Sequence, residues 1–196
     1  ATDFNYYNGS PLTALCIAPN NDEYIYVAVE SYQYQAPSEF LLFKTTSGGY
    51  ANGCTSACWT EMFPPNPEYI SSIAVSPYNE NKIWIAYKGY SENNKIKHFD
   101  GNSWVDYSNG LPPLPVNNII FNYGSDNGLF VATDNGVYYR DATMNQWETF
   151  KENLPNVNVS ELEINYGFNK VVAGTFGRGL WESPLPCTLG DSIFSL

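Results

Sequence analysis

Carboxylates dominate the side chains of this sequence that could take part in chemistry. The 196 residues include 20 Asp and Glu, 9 Lys and Arg, one His and 4 Cys. Hydrolysis of a glycosidic bond needs two carboxyl groups that face each other about 5–10 Å apart. Asp126, Asp134 and Glu163 are candidates by residue type, but no motif marks a pair, and each also suits a turn or the surface. The sequence therefore predicts no catalytic residue.

Residues that bind metals are sparse. His98 is the single histidine and the sequence has no Cys-x-x-Cys pair, so a zinc site lacks its usual ligands. Asp22-Glu23 and the turns Asp126-Asn-Gly128 and Asp134-Asn-Gly136 offer oxygen ligands, but without the regular spacing of a calcium loop. We expect no metal and no cofactor, with Ca²⁺ as the open alternative.

The cysteines favour an oxidising compartment. Cys54 and Cys58 bracket Thr-Ser-Ala in a Gly-rich loop, where we predict a small disulfide ring. Cys16 falls in a predicted strand and is expected to be a buried apolar thiol rather than a reactive one. The pairing of Cys187 is left open. The low Lys content and the abundant Tyr, Asn and Gly also favour an extracytoplasmic protein.

The net charge argues against two classes of partner. It is −11 at pH 7, with a pI near 4.3, and such a surface repels nucleic acid and anionic lipid. It is compatible with neutral glycans, with cations, or with solubility alone. No apolar run approaches the ~20 residues of a membrane span, so we expect no membrane insertion. The sequence starts at Ala1 without a signal peptide, which suggests a mature or truncated chain.

Four short apolar, aromatic-rich runs, separated by turn residues, recur in the same order four times. The repeats open near residues 12, 70, 116 and 159. Val, Ile, Tyr, Phe and Trp dominate each run, as strands require, and no stretch has a helical period. A period of about 40–50 residues with four strands per unit is typical of a β-propeller blade.

Two columns of residues support this alignment. Small residues occupy one place in the second strand of each repeat, where sheets crowd towards a propeller axis: Ala28, Ala86, Ala132 and Gly174. Large residues lie two positions earlier, where there is room between blades: Tyr26, Trp84 and Phe130. The sequence thus predicts an all-β propeller of about four four-stranded blades, with three complete Trp-bearing repeats plus a fourth, as part of a larger propeller.

The predicted organisation divides the chain at the repeat boundaries. Residues 12–65, 66–113, 114–155 and 156–185 are expected to be blades, and the last lacks its outer strand. Residues 1–11 contain a stray outer strand at 2–7, and residues 186–196 form a tail or a linker to a following domain. The stray strand is expected to belong to a preceding blade; the alternative is that it pairs with residues 180–183 and closes a four-bladed ring.

The turns before the tryptophans resemble degenerate Asp-box (bacterial neuraminidase, BNR) repeats. The resemblance rests on Lys44-Thr-Thr-Ser-Gly-Gly before Trp59, on Phe99-Asp-Gly-Asn-Ser-Trp104, and on Arg140-Asp-Ala before Trp147. The closing phrase Ala173-Gly-Thr-Phe-Gly-Arg-Gly-Leu-Trp-Glu-Ser-Pro184 is similar to the last blade of sortilin-like and Asp-box propellers. It looks most like those in large secreted proteins of Bacteroidetes-type bacteria, which implies a surface protein exported by type IX secretion.

The resemblance implies structural roles for the box residues. Asp100 and Asp141 are expected to tie their own turns together, and Trp59, Trp104 and Trp147 to pack between strands. The family also includes sialidases and other glycosidases. A sialidase holds its substrate carboxylate with three arginines, whereas this chain has only two, Arg140 and Arg178, so sialidase activity is not expected.

Ligand binding is the functional class that the sequence favours. Propeller ligands usually sit in the loops that join the fourth strand to the next blade and the second strand to the third. In these loops Tyr32, Tyr34 and Tyr90 stand beside Gln and Asn residues, which suits stacking on a sugar ring and bonding to its hydroxyls. The same tyrosines could instead pack against neighbouring loops. Arg178 is expected to form a structural ion pair or to contact an anion or glycan near the channel.

Three short motifs are candidates for glycosylation. Asn8-Gly-Ser10 and Asn158-Val-Ser160 fit the N-glycosylation pattern, and Asp191-Ser-Ile193 resembles the O-glycosylation motif of Bacteroidetes-type bacteria, which places the sugar on Ser192. The sequence thus predicts a non-catalytic secreted or cell-surface propeller that binds a glycan or a surface protein, for example in adhesion. Two alternatives remain: a structural part of an extracellular filament or sheath, and the propeller part of a glycoside hydrolase.

Overall fold

The chain folds into antiparallel β-sheets. The computed structural model describes residues 11–31, 38–49 and 58–186, and every regular element in those ranges is a strand. The strands are β1 (Leu12–Ala18), β2 (Asn21–Ser31), β3 (Glu39–Thr46), β4 (Trp59–Met62), β5 (Ile70–Ser76), β6 (Asn79–Tyr87), β7 (Ile96–Phe99), β8 (Trp104–Asp106), β9 (Val116–Phe121), β10 (Leu129–Thr133), β11 (Gly136–Arg140), β12 (Glu148–Thr149), β13 (Val159–Asn165), β14 (Lys170–Thr175) and β15 (Gly179–Pro184).

Strands that follow one another in sequence pair side by side in four sheets. Blade 1 has the order β1-β2-β3-β4, blade 2 β5-β6-β7-β8, blade 3 β9-β10-β11-β12 and blade 4 β13-β14-β15. The predicted all-β propeller of about four blades is therefore confirmed, and among the described residues three blades have four strands and blade 4 has three. The predicted strand at residues 2–7 lies outside the described residues. The first strands, β1, β5, β9 and β13, contact one another in turn, which makes them the innermost strands around a common axis.

Three apolar clusters hold each blade against the next. Each cluster combines the aromatic and small residues of one blade's second strand with the first strand of the following blade. Tyr26 and Ala28 pack on Ile73 and Val75, for example. The aromatic and alanine residues of both columns in blades 1 to 3 are fully or almost fully buried, as close packing of sheets requires. The columns seen in the sequence are therefore the blade interfaces.

One set of polar contacts between blades involves the hairpins that join first and second strands. The Tyr26 hydroxyl donates to the Glu80 carbonyl at 2.6 Å. Tyr78 accepts from the Gly124 N–H at 3.1 Å, and Tyr166 accepts from the Tyr123 N–H at 2.9 Å. These tyrosines join consecutive blades with both their rings and their hydroxyls.

Two details differ from the predicted elements. The sequence Asp126-Asn-Gly128 is typical of a tight hairpin turn, but it belongs to a longer connection between β9 and β10, in which Asn127 has positive φ. The run Gln146-Trp-Glu-Thr-Phe150 predicts the fourth strand of blade 3, yet β12 covers only Glu148–Thr149. Its start is shortened because the Trp147 N–H donates to the Asn109 carbonyl of blade 2 at 2.8 Å, outside its own sheet.

Candidate functional site

One end of the blades carries the same backbone closure four times. A residue at the end of each second strand donates its N–H to the carbonyl of the residue just before the first strand. The pairs are Glu30 to Pro11, Lys88 to Tyr69, Asp134 to Pro115 and Phe176 to Asn158, at 2.9–3.4 Å. The same backbone hydrogen bond recurs in all four blades, but the residues that form it differ in type. The blades therefore present different side chains at this end.

A β-bulge recurs at the same end of every innermost strand. The register of the first two strands shifts in all four blades, and the shift leaves one extra residue: Thr13, Ser71, Asn117 or Ser160. Bulges redirect a side chain out of the alternating pattern. The Ser71 hydroxyl therefore reaches the Val116 carbonyl of blade 3 at 2.5 Å, and the Asn117 amide reaches the Val159 carbonyl of blade 4 at 3.0 Å.

The closures and bulges of blades 2, 3 and 4 surround a cleft of about 730 Å³. Its walls are formed by three aromatic rings, two amides, one carboxylate, one ammonium group, one hydroxyl and one proline. The residues are Tyr69, Lys88, Tyr90, Pro115, Asn117, Asp134, Asn158, Ser160 and Phe176. Seven of them belong to the two loop classes in which the sequence predicts a ligand, and Asn117 and Ser160 are bulge residues of β9 and β13.

Asp134 lies at the centre of a polar network in the cleft. Its Oδ1 accepts from the Asn158 amide at 2.5 Å and from the Asn117 amide at 3.0 Å. Ser160 donates its hydroxyl to the Asn158 Oδ1 at 3.2 Å. Asp134 and Asn117 belong to blade 3 and Asn158 to blade 4, so the network spans two blades and fixes the carboxylate in one orientation. Both amides bond Oδ1, and no described residue donates a hydrogen bond to Oδ2.

The aromatic side chains of the cleft are presented in different ways. Tyr69 stacks edge-to-face on Phe40 of blade 1, with ring centroids 6.1 Å apart. Tyr90 is 70% exposed, and Phe176 is also exposed. Exposed rings beside hydrogen-bonding groups are typical of sites that bind amphipathic ligands.

A buried polar cluster holds the loop that presents Tyr90. Lys95 has no exposed surface and donates from Nζ to the Gly89 carbonyl at 2.6 Å. Burial lowers the pKa of Lys95, while the nearby Glu68 carboxylate opposes that shift. The Asn94 amide donates to Glu68 Oε1 at 2.7 Å. These contacts fix the base of the loop between β6 and β7.

The structure brings only some of the predicted ligand residues to this cleft. Tyr90 lines it. Arg178 is exposed in the turn between β14 and β15, is not among the cleft residues, and has no ion pair with any described residue. Tyr32 and Tyr34 lie outside the described residues. Sequence reasoning missed Asn117 and Ser160 as site residues. The available signal was that polar residues at the bulges break the alternation of apolar and polar residues along the strand.

The three candidate catalytic carboxylates do not meet. Asp134 lies in the cleft, Asp126 lies at the other end of β10, and Glu163 lines a separate cavity of about 180 Å³ on the axis. Asp22 and Glu23 are exposed at the start of β2. No group of three or more His, Cys, Asp or Glu side chains converges within the described residues.

The Asp-box carboxylates bond within their own turns. Asp100 accepts from the Asn102 and Ser103 N–H groups, both at 2.8 Å, and these bonds lower the pKa of Asp100. Asp141 accepts from the Thr143 N–H at 2.9 Å and hydroxyl at 2.7 Å. The turns are thus held by the mechanism usual for Asx residues.

The box tryptophans lie on the side of each blade that faces the preceding one. Trp147 is buried between blades 2 and 3 and donates from Nε1 to the Tyr107 carbonyl at 2.6 Å. Trp104 packs at the interface of blades 1 and 2. Trp59 packs on Val27, Val29 and Phe43 of its own blade.

Among the described cysteines and modification motifs, only the Asn158-Val-Ser160 motif lies in the cleft. Cys58 forms a disulfide, but the predicted partner Cys54 lies outside the described residues, as do Asn8, Cys187 and Ser192. Cys16 is a free, half-buried thiol on the axial cavity, and burial raises its pKa to about 11. The Asn158 amide of that motif is engaged with Asp134.

The fold is similar to those of solved β-propeller proteins. A gluconolactonase from Xanthomonas campestris matches with a TM-score of 0.62 and 16% identity over 92% of this chain and 60% of its own. The extracellular domain of a putative one component system from B. thetaiotaomicron matches with a TM-score of 0.63 and 16% identity over 93% and 22%. YCF48 from Cyanidioschyzon merolae matches with a TM-score of 0.52 and 9% identity over 94% and 70%. Likeness at these identities establishes the fold: this chain is built of β-propeller blades.

Sequence comparisons add no closer relative. No protein-family model matches the chain, and no curated protein matches it. The chain spans about 60% of the length of the gluconolactonase and 22% of that of the sensor domain. Since the described residues form no helix, they contain no helical segment that could cross a membrane.

Proposed function

We propose that this chain is a secreted or cell-surface propeller that binds a neutral carbohydrate in the cleft of blades 2 to 4. The observation that carries the proposal is the Asp134 carboxylate, held by Asn117 and Asn158 and surrounded by Tyr69, Tyr90 and Phe176. A sugar ring offers an apolar face for an aromatic side chain and hydroxyls for a fixed acceptor, and both are present here.

The charge of the chain favours a neutral ligand. The net charge of −11 disfavours anionic sugars and phosphates, and Lys88 is the single cationic side chain among the cleft residues. The volume of about 730 Å³ is within the range of small-ligand sites. A mono- or disaccharide unit at the end of a longer glycan fits these properties.

Binding without hydrolysis is the form of the proposal that fits the carboxylates. The cleft contains one Asp and no Glu among the described residues, whereas glycoside hydrolysis normally uses two carboxyl groups. One structural neighbour is a gluconolactonase, which keeps a sugar-directed enzyme as the competing function. Acid formed from a sugar lactone, or new reducing ends released from a bound oligosaccharide, would favour the enzyme over the binder.

The proposed setting is the bacterial cell surface. Extracellular sensor domains among the structural neighbours support an extracytoplasmic location, as does the disulfide at Cys58. The Asp-box and sortilin-like resemblance, type IX export and a role in adhesion belong to this proposal. A purely structural role in a filament or sheath is the alternative, and it predicts no specific glycan ligand.

The test is a glycan array followed by calorimetry on the neutral glycan that binds best. We expect Tyr90→Ala to weaken binding about tenfold, because an exposed stacking ring is lost without a change in the core. Asp134→Asn should weaken it at least as much. Phe168→Ala is the matched control, since Phe168 is equally exposed but lies in the turn between β13 and β14 at the other end of the blade. Equal affinity of the Tyr90 variant and the unchanged chain would exclude this cleft as the binding site.

A further inference from the structure

The third strand of blade 4 has a neighbouring strand on one side only. In blades 1 to 3 a fourth strand, β4, β8 or β12, pairs with the outer edge of the third strand. In blade 4, β15 pairs with β14, and no other described strand pairs with it. An unpaired strand edge presents backbone N–H and C=O groups to which a further strand can bond.

A small cavity between blades 3 and 4 lies beside this edge. Its walls come from β11, from the connection that follows β12, and from all three strands of blade 4. Six of the apolar residues that line it are Val137, Phe150, Leu162, Val171, Ala173 and Trp181. The edge and the cavity are therefore parts of one surface.

The cavity is the counterpart of the site that Trp147 fills between blades 2 and 3. Strand pairing, and the backbone bond that each blade makes after its fourth strand, define the counterparts of the six lining residues. In the same order these are Ile96, Tyr107, Ile119, Leu129, Val131 and Tyr138. All six lie in, or pack against, the apolar cluster that contains Trp147.

The polar anchors of the tryptophan also have counterparts beside the cavity. Trp147 donates from Nε1 to the Tyr107 carbonyl at 2.6 Å and from its backbone N–H to the Asn109 carbonyl at 2.8 Å. The corresponding carbonyls one blade later are those of Phe150 and Glu152. No residue in the described ranges donates a hydrogen bond to either of them. Both acceptors are therefore available to an incoming tryptophan.

The sizes of the lining residues suit an indole ring. Four of the six are smaller than their counterparts in the Trp147 site, and the largest reduction is Ala173 in place of Val131. Trp181 alone is larger than its counterpart, Tyr138. The space lost to Trp181 is thus offset by its neighbours.

We propose that blade 4 binds an extended segment of another polypeptide that carries a tryptophan. The segment would pair with the outer edge of β15 as β12 pairs with β11, and its indole would enter the cavity and donate to the Phe150 carbonyl. In this mode of recognition, backbone bonds supply affinity and the side-chain pocket supplies specificity. The tryptophans of this chain are at 59, 84, 104, 147 and 181, so residues 1–10 and 187–196 cannot supply the indole.

Fluorescence anisotropy with a labelled peptide tests the proposal on the 196-residue chain. The probe has the sequence of residues 144–150, which includes Trp147 and β12. We expect saturable binding that weakens about tenfold or more when the tryptophan of the peptide is replaced by alanine, because a buried aromatic anchor is lost. Equal affinity of the two peptides, or no binding at millimolar concentration, would overturn the proposal.

Hydrogen exchange locates the bound peptide. We expect the peptide to slow exchange of the β15 amides and to leave those of β1 unchanged. Protection at another strand would overturn the proposal. Slow exchange of the β15 amides in the free chain would also overturn it, since the edge would then be covered by this chain itself.

Two variants of the chain separate the cavity from the rest of blade 4. Ala173→Leu fills the cavity and should weaken binding of the peptide about tenfold. Leu180→Ala is the matched control, because Leu180 is next to Trp181 in β15 but points to the opposite face and is 78% exposed. Equal affinity of the Ala173 variant and the unchanged chain would exclude the cavity. Glycan affinity at the cleft should be the same with and without the peptide, so this proposal and the proposed function can fail separately.

Discussion

The two end faces of the blade array have the same backbone and opposite chemistry. On blade 1 the free face presents Leu15 and Ile17 from its innermost strand. On blade 4 the free face presents Glu161 and Glu163 from the corresponding strand, with an ion pair between Lys170 and Glu182 beside them. One face exposes two apolar side chains, and the other exposes two carboxylates, one of which, Glu161, accepts a hydrogen bond from Asn118 at 3.1 Å.

A repeated backbone does not fix the chemistry of its faces. The order of the first three strands, the bulge and the backbone closure are the same in blades 1 and 4. The difference lies in the side chains. Blade 4 has Glu161, Glu163 and Val172 on the face on which blade 1 has Ala14, Cys16 and Tyr26.

The largest expected effect is on the free energy of unfolding, when equivalent first-strand residues are truncated at a blade interface and on the exposed face of blade 1. Ile119→Ala should lower the free energy of unfolding by about 2–5 kcal/mol, because it leaves a cavity between blades 2 and 3. Leu15→Ala, at the corresponding position on the free face, should change it by no more than about 0.5 kcal/mol. Urea unfolding followed by tryptophan fluorescence measures both. Similar losses in the two variants would mean that the β1 face is covered in the isolated chain.

An intermediate effect on stability is expected when two glycines with positive φ are replaced by alanine. Gly177 has φ of 79° and open space around it, so Gly177→Ala should cost only the strain of the left-handed conformation, about 1–2 kcal/mol. Gly110 has φ of 94°, and a Cβ there would lie 2.5 Å from the Trp147 carbonyl oxygen of the next blade. Gly110→Ala should therefore cost about 1–3 kcal/mol more. Thermal unfolding of the two variants would contradict this if Gly177→Ala were the less stable.

The smallest effect is a difference in pH dependence between an interface and the free face of blade 4. His98 stacks on Trp84, with ring centroids 4.3 Å apart, and its burial lowers the pKa below the usual 6.5. The fold thus favours neutral His98, and this contribution is present above about pH 6.5 and is lost as the pH falls further. Glu161 behaves in the opposite sense. Desolvation and the Glu163 charge raise its pKa above 4.5, so its unfavourable contribution is relieved as the pH falls.

Two variants separate these contributions. Between pH 7 and pH 5, His98→Gln should lose less stability than the unchanged chain, and Glu161→Gln should lose more. Urea midpoints at the two pH values measure both differences. A Glu161 variant that lost less stability than the unchanged chain would show that the Glu161 carboxylate is stabilised on the free face, which contradicts the prediction.

Much of the fold could be predicted from the sequence because its signals are local and are repeated. The strand runs and the small and large columns appear in the spacing of residue types. The length of β12 could not be predicted in this way, since a hydrogen bond from Trp147 to another blade delays the start of that strand. The connection around Asp126 likewise depends on its contacts with Tyr78 and Ala142 of other turns.

The sequence by itself determined the kind of sheet and the number of repeats, and it predicted the loops in which we propose that a ligand binds. Tertiary structure decided which side chains meet there. Asp134 and Asn158 come from two separate connections, and Asn117 lies in β9, where a bulge turns it out of the alternating pattern that sequence reasoning follows. Tertiary structure also decided that Leu15 is exposed while Ile73, Ile119 and Leu162 are buried. All four positions carry an aliphatic residue, and they differ only in whether a preceding blade packs on them.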